Sequence, residues 1–138
     1  MQKLKKINAD TNIITWFEIP VLDTERARRF YETILDIHMQ TLKIDETKEE
    51  LTFFPYHPEV IQATSGRVTG ALTKSEKAKP SGNGTRVYIN ASPEIQIVLD
   101  KVEASGGKVV VPKTHIRAGF IAVITDTEGN SIGLHAEK

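Results

Sequence analysis

The chain of 138 residues carries 18 Lys+Arg against 18 Asp+Glu and contains no cysteine. That balance supplies no overall field for nucleic acid or an acidic membrane surface, and the missing thiols exclude disulfides, a cysteine nucleophile and cysteine-ligated zinc. The length suits one compact domain with a buried core, and the composition points to a cytoplasmic protein that binds neither nucleic acid nor membrane.

Residues 1–6 are basic but lack the continuous apolar stretch of a secretion signal, and no window approaches the length of a membrane span. Asn83-Gly84-Thr85 and Asn90-Ala91-Ser92 match the glycosylation pattern, which carries no chemistry in a protein that is not secreted.

Residues 13–19 are rich in β-branched and aromatic side chains and are stopped by Pro20, which predicts a strand. A helix follows, with Asp23 as its N-cap, Glu25 in the positive first turn, and Ala27, Phe30, Tyr31 and Ile34 spaced i, i+3, i+4, i+7. Arg26, Arg28, Arg29 and Glu32 fall on the solvated face. Strands are predicted at 39–44, 51–56 and 68–73. The polar run 74–84, KSEKAKPSGNG, reads as a linker. Its Ser81-Gly82-Asn83-Gly84 has the glycines of a phosphate cradle, but no helix start follows, so it reads as a flexible connection.

The second half repeats the plan. A strand at 86–91 leads to Ser92 as N-cap and Pro93 at the first helical position, then Ile95, Val98, Leu99 and Val102 share one face and Gly106 ends the helix. Strands are predicted at 108–111, 120–125 and 131–135, the last two joined through Glu128-Gly129-Asn130, a sequence suited to positive φ. Each half is βαβββ, giving an α+β protein built by duplication: one domain over 1–138, with module 1 at 12–73, the linker at 74–84 and module 2 at 85–138. A ferredoxin-like sandwich fits the same element pattern.

Particular residues narrow the choice. Trp16 to Asp23 (WFEIPVLD), followed by Arg26-Ala27 and Phe30-Tyr31, resembles the opening strand and helix of the vicinal-oxygen-chelate superfamily, which includes glyoxalases, bleomycin-resistance proteins and dioxygenases. Val87-Tyr88-Ile89, the helix end Glu103-Ala104-Ser105-Gly106-Gly107, and Gly119-Phe120-Ile121-Ala122 leading into Asp126 to Leu134 (DTEGNSIGL) resemble its second module. The resemblance implies tandem βαβββ modules whose mixed sheets curl around a cleft, with helices outside, and a homodimer. It also implies four metal-ligand positions, one on the first and one on the last strand of each module. Here they fall on Trp16, Ala71, Val87 and Gly133. None of these donates a lone pair to a divalent cation, so no metal and no cofactor are expected.

Strand parity places Trp16 with Glu18, Val87 with Ile89 and Ala91, and Ser131 with Gly133 and His135. If these faces line the cleft, its floor is apolar, with Glu18 and His135 as candidate acid and base and Trp16, Val87 and Ile89 as substrate contacts. Lys113, His115 and Arg117 sit in the predicted connection before Gly119, where they could receive an anionic group. His57-Pro58-Glu59 and His135-Ala136-Glu137 match half of a non-haem iron triad, a short pattern that reads as surface residues.

The expected function is small-molecule binding in the cleft without a metal. The alternatives are a metal-independent lyase or isomerase working through Glu18 and His135, and a metal-dependent glyoxalase-type lyase should the metal positions lie elsewhere.

Overall fold

A computed structural model describes residues 7–61 and 64–138. The basic run at 1–6 lies outside the described residues.

The first strand, β1 (Trp16–Pro20), is shorter than predicted. It begins where a neighbour becomes available, since Trp16 pairs with Thr69, and residues 13–15 have no strand beside them. Asp23 then starts helix α1 (Thr24–Leu35): its extended backbone and the Arg26 N–H donated to its carboxylate at 3.0 Å form the cap. Ala27, Phe30, Tyr31 and Ile34 are all buried, as their spacing requires. Asp36 ends the helix in left-handed backbone at φ 53°.

Strands β2 (Gln40–Ile44), β3 (Glu49–Phe53) and β4 (Thr69–Lys74) complete the first sheet, in the order β1-β4-β3-β2 with β1 parallel to β4. The second sheet is built from β5 (Tyr88–Asn90), β6 (Lys108–Ile116), β7 (Gly119–Thr125) and β8 (Ser131–Ala136), ordered β5-β8-β7-β6 with β5 parallel to β8. The architecture is therefore α+β, two four-stranded mixed sheets that do not close, and it repeats the order of elements from one half to the other.

Helix α2 (Ile95–Val102) departs from expectation at its start. Ser92 and Pro93 precede it, and Glu94 holds the N-cap position without a side-chain cap. The reason lies in the sheet: Ala91 still donates to the His135 carbonyl at 2.7 Å, and the Ser92 N–H is taken by Asn90 Oδ1 at 2.9 Å. The turn into the helix therefore comes later, and the Lys138 carbonyl accepts the Ile95 N–H at 2.8 Å.

Both helices pack on the sheets and against each other. Ile19, Leu72, Phe30, Tyr31, Ile34, Leu99, Ile124 and Leu134 belong to one continuous apolar core, which covers one face of each sheet. The opposite faces carry no helix. The run 74–84 is pinned rather than loose, since Lys77 N–H reaches Ser75 Oγ at 3.0 Å and Ser81 N–H reaches Asn130 Oδ1 at 3.1 Å. Among the described residues, no helix is long and apolar enough to cross a membrane.

Candidate functional site

Register defines the two open faces. In the first sheet, Gln40, Phe53, Ala71 and Glu18 form one row and Trp16 with Thr69 a second, all on the side opposite Ile19 and Leu72. In the second, Tyr88, Gly133, Val123 and Val111 form a row, beside one of Asn90, His135, Ile121 and Thr114.

Trp16 and Glu18 share their face as predicted from parity, and the indole Nε1–H donates to Glu18 Oε2 at 3.2 Å. Glu18 is solvent-exposed, so the cost of an unpaired buried carboxylate does not arise. His135 lies on the other sheet, half-buried, with Nε2 2.7 Å from the Ala118 carbonyl oxygen. A carbonyl only accepts, so that nitrogen carries the proton and is not free as a base. Glu18 lines a small cavity with Pro20, Ser81, Val87, Asn130 and Ser131, and His135 is not among its walls.

The second module differs from the sequence expectation in two places. Ile89 packs against the core, Tyr88 pairs with Gly133 on the open face, and Val87 precedes β5 and lines the cavity that holds Glu18. The segment holding Lys113 and His115 is not a loop but part of the edge strand β6, paired to β7 through Thr114, His115 and Ile116. Ladder hydrogen bonds with β7 account for the longer strand, and Pro112, which lacks an N–H, is tolerated because β6 is an edge and Pro112 falls within the register shift between Val111 and Thr114. Lys113 Nζ sits 4.4 Å from the Phe120 ring centroid and the His115 ring 5.1 Å from it, on the helix side of the sheet. Arg117 lies in the turn between β6 and β7.

Sequence reasoning missed the role of the β7–β8 turn. Glu128, with its side chain fully enclosed, accepts Arg26 Nε at 2.7 Å, Arg26 Nη2 at 3.0 Å, and the Leu22 and Asp23 N–H groups at 2.8 Å each. Burial works against its charge, but the hydrogen bonds from Arg26, the Asp23 N–H, Thr127 and the Leu22 N–H outweigh it and hold the carboxyl at about 2. Asp126 accepts the Tyr31 hydroxyl at 2.7 Å, and Asn130 Nδ2 reaches the Pro20 carbonyl at 2.7 Å. Burial and then the Asp126 charge push the Tyr31 phenol well above its usual range. Arg26 is thus a tie to the second half of the chain, not an ordinary surface charge. The signal was present in the sequence as a polar D-T-E-G-N turn, but its partners lie about a hundred residues away.

The sequence profile described as Glyoxalase/Bleomycin resistance protein/Dioxygenase superfamily matches residues 13–134. The chain belongs to this superfamily. No curated protein matches the sequence. Among solved structures, it is similar to the V278E mutant of glyoxalase I from Zea mays, with 20% identity and a TM-score of 0.68 over 88% of this chain and 45% of that one. The chain therefore spans about half the length of the maize protein. It is also similar to the trypanothione-dependent glyoxalase I of Leishmania major (22% identity, TM-score 0.65, covering 91% of this chain and 87% of that). A glyoxalase/bleomycin resistance protein from Albidiferax ferrireducens T118 matches at 19% identity and TM-score 0.64, covering 89% and 97%. At these identities the likeness is one of fold.

The superfamily's metal positions can be tested against the side chains on the two faces. The positions that the resemblance implied, Trp16, Ala71, Val87 and Gly133, carry no metal-donating side chain; on the open faces Trp16 and Ala71 stand in the first sheet, and Tyr88 is paired to Gly133 in the second. A side chain at Gly133 would require the Tyr88 ring to move, because a Cβ there would meet it, with Cγ at 2.7 Å. Among the described residues no three His, Cys, Asp or Glu side chains gather where they could hold a metal, and that includes His57 with Glu59 and His135 with Glu137. The donor set does not fit a divalent metal.

Proposed function

We propose that this superfamily member binds a small organic molecule without a metal, against the open face that carries Trp16 and Glu18. The observation that carries the reading is the surface of the open faces, where Trp16 and Ala71 stand on one sheet and Tyr88 lies over Gly133 on the other. Apolar and aromatic surface stands where a coordination polyhedron would be, and such surface favours an organic ligand through dispersion and apolar burial. The absence of cysteine supports a cytoplasmic setting.

We also propose that a second copy of the chain covers part of these faces, as a homodimer. Trp16 is 39% exposed, Leu42 51% and Tyr88 48%, and all three lie on the faces without helices. Sedimentation equilibrium across micromolar concentrations should give twice the chain mass, and a single-chain mass rejects the dimer.

The binding role is tested by a thermal-shift screen over metabolites and divalent cations, because a ligand of the native state raises its apparent stability by mass action. An organic ligand should raise the melting temperature with chelator present. A divalent cation that does so at one per chain, with the effect lost on substituting Trp16 or Glu18, overturns the proposal.

A further inference from the structure

Trp16 does not stand alone on its face. Its ring lies 6.0 Å from that of Phe53 at 61°, and Phe53 lies 5.8 Å from Tyr56 at 55°. Neither pair stacks in parallel, so a flat guest does not compete with an existing stack. Tyr56 is 55% exposed, a large aromatic surface for a side chain that could have been buried.

Beside this row lies a cavity of about 340 Å³, walled by Pro55, Tyr56, His57, Arg67, Val68 and Thr69. Its size falls within the range that holds small organic ligands. Thr69 is the register partner of Trp16, so the cavity adjoins the aromatic row. Thr69 Oγ1 also donates to the Pro55 carbonyl at 2.9 Å, which fastens the start of β4 to the chain leaving β3 and holds two walls in place.

Among the described residues that line the cavity, Arg67 carries the charge, His57 adds an imidazole, and none is a carboxylate. Among the described residues Arg67 makes no ion pair, and Glu18, on the same open face in one row with Phe53, accepts the Trp16 N–H. A guanidinium can take a carboxylate through two parallel N–H donors while its plane continues that of an attached ring.

We infer that the ligand is a flat aromatic anion, its ring among Trp16, Phe53 and Tyr56 and its negative group on the Arg67 guanidinium. This deepens the proposed binding role and rests on it.

Calorimetric titration with 1-naphthoate, 1-naphthalenemethanol and cyclohexanecarboxylate tests the inference on the whole chain and on R67Q and Y56A, with melting temperatures confirming that both variants fold. The naphthoate should bind one per chain and perturb the fluorescence of Trp16, the chain's single tryptophan. Loss of a charge-assisted contact in R67Q should weaken it about tenfold or more. The neutral alcohol and the non-planar acid should bind the unmodified chain at least about tenfold more weakly than the naphthoate. Equal naphthoate affinity in R67Q, equal binding of either control, or no binding of the naphthoate overturns the inference. Binding of the alcohol as tight as that of the naphthoate would do so while leaving the metal-free binding role intact, and that role fails only on the separate screen.

Discussion

Arg26 on helix α1 and Glu128 in the β7–β8 turn, 102 residues apart, form a two-point ion pair whose carboxylate is fully enclosed while its guanidinium remains about half exposed. The same carboxylate accepts the Leu22 and Asp23 N–H groups ahead of α1, so one side chain joins the entry of the first helix to the last hairpin. Replacing Glu128 by Gln removes the charge and leaves at least one of these donors without an acceptor. Equilibrium denaturation should show a loss of roughly 2–3 kcal/mol, well above that of an ordinary surface substitution.

Acid should act through the same group. Glu128 titrates at about 2 in the folded chain against 4.5 when unperturbed, so the unfolded state binds its proton more readily. Its contribution is complete above about pH 5 and falls as pH drops towards 2. The shift corresponds to about 3 kcal/mol. The stability of E128Q, measured by denaturation between about pH 6 and 2, should fall with a shallower slope than that of the unmodified chain.

Gly133 and Tyr88 should be coupled. A methyl group at Gly133 would occupy the position of the Tyr88 ring, which must then rotate away from β8. G133A should cost about 1 kcal/mol, and adding Y88A to it should cost less than Y88A alone in the unmodified chain. Additive effects in that double-mutant cycle would show that the ring does not rest on the glycine.

Glu18→Gln should leave folding almost unchanged, within about 0.5 kcal/mol, because the carboxylate is exposed and the hydrogen bond it takes from Trp16 can be accepted by an amide oxygen. Ligand affinity is the quantity it should move. A large stability loss with unchanged affinity would mark Glu18 as structural.

Purified protein should contain far less than one divalent metal per chain, and chelator should leave its melting temperature where it was. Elemental analysis before and after dialysis against chelator checks this. A stoichiometric metal lost on substituting a residue of the open faces would place a site that the described side chains do not offer.

Local patterns carried much of this protein. Ala27, Phe30, Tyr31 and Ile34, and later Ile95, Val98, Leu99 and Val102, had to share a helical face because 3.6 residues make a turn, and their burial follows. The repeated βαβββ order, the Asp23 cap and the company of Trp16 with Glu18 were legible for the same reason: each depends on residues close in sequence. What the sequence could not decide was which partner each strand finds. The place of Tyr88 on the open face depends on a pairing with Gly133, the conversion of Lys113 and His115 from loop to edge strand depends on β7, and Glu128 becomes a tie only once helix α1 brings Arg26 to it. The aromatic row from Trp16 to Tyr56 also unites residues from different segments, β1 and the end of β3. Pairing across a sheet is set by the free energy of the whole packed core, and a one-residue change of register, small in sequence, exchanges every side chain between the buried face and the open one.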